Sequence, residues 1–321
     1  MVDPARDQGV SQYQNIIMRV AIQLVTYHGS QDLPILLESL NQQIMKDWKL
    51  FVYENSCDRV EAGRVQSLLE ASSISCHLFI SDKNTGFDGG HQALFMMHDA
   101  PYVLLLNNDA KLEPAYLEAV IRRMESDATI GSVTGLVYRW TDDQTRIIDT
   151  AGLDYHCLGQ IVDRFAGQVA STVADAIARA GKVFGVSGAI GLYRHSAIDQ
   201  AGGLFDPNWF MYKEDADLAI RLKRAGFSAW FEPTAVAFHR RGLKEEGHGL
   251  FDRLANERRR SPLLRQCSYV NQWRMYRRYF RASLGVRDIC QTIAIEAGRS
   301  VLVFLASPRV FFRAWRQLLI G

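Results

Sequence analysis

Apolar runs that break abruptly into short polar stretches recur along the first part of the chain, and they predict alternating strands and helices. The clearest is Tyr102-Val-Leu-Leu-Leu-Asn-Asn-Asp109, where mostly branched apolar residues meet short polar ones. That is the pattern of a fully buried central strand ending at a polar edge. Upstream, residues 20–27 alternate apolar positions before turning polar, a first strand. Leu33, Leu36, Leu37, Leu40 and Ile44 then recur at helical spacing. Residues 50–53 predict a second strand running into Glu54-Asn55-Ser56, Val65, Leu68 and Leu69 mark a helix, and 77–80 a third strand. This β-α-β-α-β alternation predicts a parallel sheet with helices on its faces, able to bind a nucleotide. Downstream, Leu117, Val120, Ile121 and Met124 predict an amphipathic helix and 132–138 a strand. Residues 139–182 have mixed polarity and read as a hairpin-like insertion, and 183–193 as one strand interrupted by small residues. Leu218, Ala219, Leu222 and Ala225 give a further helix its buried face, with Gly226 as its stop. Residues 235–239 predict a short strand closing on a histidine.

Composition narrows this picture. A chain of 321 residues accommodates one large catalytic domain with an appendage, or two domains. A formal net charge of +2 gives no general case for nucleic-acid binding. Cys57, Cys76, Cys157, Cys267 and Cys290 show no C-x-x-C pair or zinc spacing, as expected of reduced thiols. The polar first residues lack the apolar run of a signal peptide, and no stretch reaches the ~18 apolar residues of a spanning helix, so a cytoplasmic setting is expected. The charge is unevenly placed. Between 253 and 281 arginines interleave with Tyr269, Trp273, Tyr276 and Tyr279. Residues 289–306, apolar but broken by Glu296 and Arg299, and the basic amphipathic 310–320 then suit a helical region lying on anionic lipid. Packing on the catalytic domain, or a homodimer seam, accounts for the same pattern.

In open α/β sheets ligands bind beyond the carboxyl ends of the strands, which places Asn107, Asn108 and Asp109 where a substrate would lie. Asp109 suits Mg²⁺ or Mn²⁺, which take few protein carboxylates and leave sites to water and a diphosphate. Asn-Asp-Ala-Lys before Pro114 is equally good turn chemistry. Asn84-Thr-Gly-Phe-Asp-Gly-Gly-His91 brings Gly86 and Gly90 to a helix start, fit for close approach to a ligand or for a plain turn. It is neither a dinucleotide fingerprint nor a P-loop. Glu214, Asp215 and Asp217 crowd the first turn of their helix, where acids complement the dipole and Asp217 can pair with Arg221. Asp215 lies three residues before Leu218 and so projects toward the core side, which is costly for a carboxylate without a partner or a task. His239 at a strand end is either structural or a ligand.

Thr26-Tyr27, Glu54-Asn55-Ser56, Asn84-x-Gly-Phe-x-Gly-Gly, Leu106-Asn-Asn-Asp109, Val186-Ser-Gly-Ala189, Phe210-Met-Tyr-x-Glu-Asp-x-Asp-Leu218 and His239-x-x-Gly242 stand in the order found in family 2 glycosyltransferases of GT-A fold. Over residues 18–245 the chain resembles the bacterial rhamnosyltransferase-like branch. The resemblance implies a GT-A catalytic domain at 18–245, with a nucleotide-binding half at 18–110 and an acceptor half at 111–245. A loose tail, 1–17, would precede it, and a helical region, 246–321, would follow. Thr26, Tyr27, Glu54, Asn55, Asn84, Gly86, Gly90 and Asn107 to Asp109 would meet a dTDP- or UDP-linked sugar. Asp109 and His239 would bind the metal, Asp215 would be the catalytic base with Glu214 beside it, and Ser187, Gly188 and Trp209 would meet a glycan acceptor, polyprenyl-linked in the membrane-associated case. Glu54, Asn107 and Asp88 depart from the usual pattern. A sugar nucleotidyltransferase would want a Gly-rich basic loop after the first strand, where Thr26-Tyr-His-Gly-Ser30 stands, and a non-catalytic binding module would have no use for Glu214 and Asp215.

Overall fold

The computed structural model describes residues 18–140, 145–156, 160–206, 208–240, 250–280 and 286–320. The expected tail at 1–17, Cys157 and Gly242 lie outside the described residues. The predicted alternation is present: β1 (Val20–Thr26), α1 (Leu33–Asn41), β2 (Trp48–Glu54), α2 (Arg59–Ala71), β3 (Cys76–Ile80), α3 (Gly86–Phe95) and β4 (Tyr102–Leu106). β5 (Ala110–Leu112), α4 (Tyr116–Glu125), β6 (Ile130–Arg139), β7 (Ile148–Thr150), β8 (Leu153–His156) and β9 (Gln160–Asp163) follow. Then come α5 (Ala174–Ile177), β10 (Gly181–Val183), β11 (Ile190–Arg194), α6 (His195–Gln200), α7 (Glu214–Arg224) and β12 (Ser228–His239). Four C-terminal helices complete the described chain: α8 (Leu250–Arg259), α9 (Pro262–Met275), α10 (Val286–Ala306) and α11 (Pro308–Ile320).

The main sheet runs β10-β12-β6-β11-β4-β1-β2-β3, with β5 on β12 and β7 on β6. Its β4-β1-β2-β3 half is parallel, and the register aligns Thr26 with Glu54 and Glu54 with Ile80, so these strands end together. β4 is buried along its whole length, as an unbroken apolar run between two layers must be. On α1, Leu33, Leu36, Leu37 and Leu40 are buried, and on α4 Leu117, Val120, Ile121 and Met124, in one core with β1, β2 and β4. Ile44, expected on the α1 face, lies past the helix end and is exposed.

Two expectations are corrected. Residues 183–193 are not one strand: β10 pairs with β12, whereas β11 runs antiparallel between β4 and β6. Gly185, Ser187 and Gly188 lie in the connection between them, where small residues let the chain leave one strand and cross to the other. The 235–239 strand is the end of the longer β12, whose register against β6 shifts between Glu232 and Val236, hiding the alternation.

The basic and aromatic stretch also has an inward use. α9 starts at Ser261, whose hydroxyl accepts from the Leu264 N–H, with Pro262 at the first helical turn. Tyr276 and Tyr279 pack with Trp209, Ala216 and Ile220 against the catalytic domain. Arg278 pairs with Asp206 at 2.8 Å and lies 3.3 Å from Asp217. This part of the run joins α9 to α7 instead of facing lipid.

Candidate active site

β5 runs antiparallel to the end of β12 with Ala110 opposite His239, which sets Asp109 beside the histidine. His239 Nε2 lies 3.1 Å from Asp109 Oδ1 and 3.3 Å from the Asn107 amide, and its Nδ1 lies 2.9 Å from Asp149 Oδ2. Burial works against a charged ring, yet hydrogen bonds to Asp109 and Asp149 raise His239 to about 9. Burial alone would raise the Asp109 carboxyl, but the hydrogen bond and charge of His239 bring it below its ordinary value. Asp149, buried on β7, was missed by sequence reasoning. The one available signal was an aspartate inside the apolar run Ile147-Ile-Asp-Thr-Ala151.

These side chains suit a divalent ion. A carboxylate and an imidazole nitrogen face each other, and the other ring nitrogen is fixed by a second carboxylate, as metal-ligating histidines commonly are. Among the described residues no group of three or more His, Cys, Asp and Glu side chains is disposed to hold an ion. An ion held by the pair would displace the ring proton and take its remaining ligands from water and a diphosphate.

Asp215 reaches the same edge by another route. The Asn107 N–H donates to the Ala189 carbonyl at 2.9 Å, so the connection before β11 lies against the end of β4. Within that connection the Gly188 N–H donates to Asp215 Oδ2 at 3.4 Å, and the Ala216 N–H donates to Oδ1 at 2.7 Å. Asp215 is half-buried and the neighbouring Ser187 partly open. Burial and the charge of Asp163 raise the Asp215 carboxyl above its ordinary value. Glu214 is pushed well up by burial, Asp88 and Asp215. Asp88 on α3, fully buried with neither carboxyl oxygen hydrogen-bonded among the described residues, is raised to about 8 by burial and then by the charges of Asp215, Asp217 and Asp206. Asp217 has the structural part expected of it, meeting Arg221 at 2.7 Å, and it also accepts from the Tyr279 hydroxyl.

The loop that delivers Glu214 and Asp215 is strained and clamped. Phe210, Tyr212 and Lys213 have φ of 66°, 70° and 74°, a left-handed region unfavourable to non-glycine residues. The Asn271 side-chain amide, from α9, donates to the carbonyls of Trp209, Met211 and Tyr212 at 2.9, 2.9 and 3.0 Å, and Arg274 donates to the Asn208 carbonyl. Trp209, expected to meet an acceptor, is only 3% exposed and sits in the cluster beneath α9. Its ring supports the loop from behind.

At the carboxyl ends of β1 and β2 Thr26 and Glu54 are buried, and Thr26 Oγ1 and Glu54 Oε2 have no hydrogen-bond partner among the described residues. Glu54 Oε1 accepts from the Ser56 N–H at 2.9 Å. Asn55 is committed to the glycine-rich turn: its amide donates to the Gly86 carbonyl at 2.9 Å and to Asn84 Oδ1 at 3.2 Å, and its Oδ1 accepts from the Thr85 N–H. Gly86 has φ 77°, and a Cβ there would come within 2.2 Å of the Phe210 carbonyl oxygen. A Cβ at Gly90 would come within 2.8 Å of Val25, so this glycine serves the packing of α3 on β1. Tyr27 is exposed past the end of β1, and Asn108 donates to the Gly29 carbonyl at 3.5 Å.

A family model described as "Glycosyltransferase like family 2" matches residues 20–262. The N-acetylglucosaminyl-diphospho-decaprenol L-rhamnosyltransferase of Mycobacterium tuberculosis is 34% identical over 104 residues, which are 32% of this chain and 33% of that protein. The match thus spans about a third of the curated relative. Among solved structures, GalNAc-T7 with UDP, GalNAc and Mn²⁺ superposes with a TM-score of 0.58 at 11% identity, covering 87% of this chain and 55% of the other. The mannosyltransferase PcManGT from Pyrobaculum calidifontis, in complex with GDP-Man and Mn²⁺, gives 0.55 at 13% identity, covering 94% and 87%. At such identities these likenesses speak to the fold, which is GT-A.

Proposed function

Because the chain belongs to glycosyltransferase family 2, we propose that it moves rhamnose or a related deoxysugar from a thymidine or uridine diphosphate to a hydroxyl of a polyprenyl-linked glycan, with inversion. The setting is cell-surface polysaccharide assembly on the cytoplasmic side of a membrane. The observation that carries this reading is the meeting of two chemistries at one edge of the sheet: the Asp109–His239 pair at the end of β4, and Asp215 held against the connection that packs on Asn107.

Asp109 and His239 would hold Mg²⁺ or Mn²⁺, and the ion when bound would neutralise charge on the departing nucleoside diphosphate. Asp149 keeps the His239 ring oriented with Nε2 toward Asp109. Asp215 accepts the proton of the acceptor hydroxyl as its oxygen attacks the anomeric carbon, and the bond from that carbon to the diphosphate oxygen breaks. Burial and the charge of Asp163 raise the Asp215 carboxyl above its ordinary value and so make it a stronger base, while the Gly188 and Ala216 N–H groups aim its oxygens. Glu214, raised by burial and by its neighbours Asp88 and Asp215, stands beside the base, where it would help to orient the acceptor. Thr26 Oγ1 and Glu54 Oε2 offer unengaged polar atoms to the nucleoside.

A calorimetric donor screen with and without Mn²⁺ tests the reading. Selective, Mn²⁺-dependent binding of a thymidine diphosphate sugar is expected; failure of thymidine, uridine and guanosine diphosphate sugars alike would overturn it.

A further inference from the structure

We propose that the outward face of α10 and α11 is a docking surface for an anionic lipid bilayer. The inner sides of these helices are accounted for: Val303 and Ala314 are buried with Tyr269 and Val270 of α9. Among the described residues nothing covers their outer side in this way. Ile293 and Val301 on α10 are 59% and 56% exposed, and Phe312 and Leu319 on α11 are 63% and 80% exposed. The apolar surface crosses from one helix to the other, because the Phe304 and Phe312 rings meet edge to face at 6.1 Å. An uncovered apolar face of this extent needs an occupant.

Charge identifies it. Arg309, Arg313 and Arg316 recur at helical spacing along α11, all exposed, beside Phe312 and Leu319. From Cys290 to Leu319 the only acidic residue is Glu296, and it is 2% exposed, accepting from the Tyr276 hydroxyl. Apolar side chains rimmed by arginines, with no exposed acid among them, match the boundary between acyl chains and anionic headgroups. A second copy on the same face would bring two arginine rims together across a two-fold axis. No helix among the described residues is long and apolar enough to cross a membrane, and the proposal lays α10 and α11 along its surface.

The position has a mechanical consequence. α9 packs under α11 and, through Asn271, holds the loop that presents Asp215. Docking would therefore fix the transfer site at a set distance from the bilayer, which suits a lipid-linked acceptor. The proposal deepens that acceptor reading but stands on exposure and charge, independently of the donor.

Sedimentation of the full chain with phosphatidylcholine vesicles, with and without phosphatidylglycerol, tests it. Binding is expected only to the anionic vesicles and should weaken steeply with salt, a readout that needs no substitution. Combined Arg309→Gln, Arg313→Gln and Arg316→Gln should lower affinity about fivefold per arginine, roughly 100-fold in all. Val301→Ser with Phe312→Ser should weaken binding independently of charge. Calorimetric binding of the nucleotide sugar should be unchanged in both variants, and its loss in the unmodified chain would count against the transferase reading alone. Equal binding to neutral vesicles, no binding to either, or an unaltered triple variant would overturn the proposal. So would a concentration-dependent doubling of mass that Phe312→Ser abolishes, which would assign the face to a second copy.

Discussion

Replacing Asp88 by asparagine should make the protein more stable, and only where the carboxyl would otherwise ionise. The side chain is fully buried on α3, and neither oxygen accepts a hydrogen bond from any described residue. Burial, with the charges of Asp215, Asp217 and Asp206, raises it from an ordinary 3.8 to about 8. The folded state thus keeps a proton that the unfolded chain gives up. With the folded value above the unfolded one, the contribution to stability is full below about pH 4, declines as pH rises from 4 to 8, and is flat beyond. By pH 8 the full separation of about four pH units between the two states is expressed, at ~1.4 kcal/mol each, so the penalty has a ceiling of about 6 kcal/mol. Relaxation and proton sharing with Glu214 lower this, and an amide of the same size removes it. Asp88→Asn should therefore gain about 1–4 kcal/mol at pH 8 and close to nothing at pH 4, with the denaturant m-value unchanged. Urea unfolding of both proteins across that range is the assay. A variant no more stable at pH 8, or equally stabilised at both ends, would refute the reasoning. The carboxyl is retained at a cost in stability.

Further outcomes follow from neighbouring contacts. Asn271→Ala removes the donor to three carbonyls of the strained loop and should cost about 2–4 kcal/mol in melting experiments. It should also lower kcat by tenfold or more, on the order expected for a misplaced base, while donor affinity measured by calorimetry stays put. Asp149→Asn deprives His239 of its orienting carboxylate and should weaken Mn²⁺-dependent donor binding about 10–100-fold in the same calorimeter. His91 and His98 flank the Gln23 amide and are pulled down to about 3 and about 4, each by burial first. Their folded values lie below the unfolded 6.5, so they stabilise above pH 6.5 and lose up to ~1.4 kcal/mol each per unit as pH falls. His91→Gln with His98→Gln should flatten that acid slope in equilibrium unfolding, and an unchanged slope would exclude these rings as its source.

What the sequence disclosed was governed by periodicity. Tyr102 to Leu106, buried on both faces, and the Leu117–Met124 stripe could be placed because burial writes itself directly into residue type. Asp109 and His239 were legible because polar residues closing an apolar strand are conspicuous. Asp149 was not, since its three-residue strand is too short to show a period and its partner comes from β12, 90 positions away. The segment 183–193 read as one strand because Val, Phe, Ile and Leu alternate with small residues, while the change of partner between β10 and β11 is a tertiary event without local trace. Arginines and tyrosines between 253 and 281 advertised a surface, yet Tyr276, Tyr279 and Arg278 turn toward α7. Composition cannot say which way an amphipathic helix faces.

The most direct measurement is product formation by the Asp215→Asn chain, supplied with thymidine diphosphate rhamnose, a polyprenyl-diphosphate-linked glycan and Mn²⁺. Loss of the base should cut turnover about 10²–10⁴-fold while the donor dissociation constant stays within about twofold of the unaltered chain. Turnover near that of the unaltered chain would contradict the assignment of proton removal to this carboxylate.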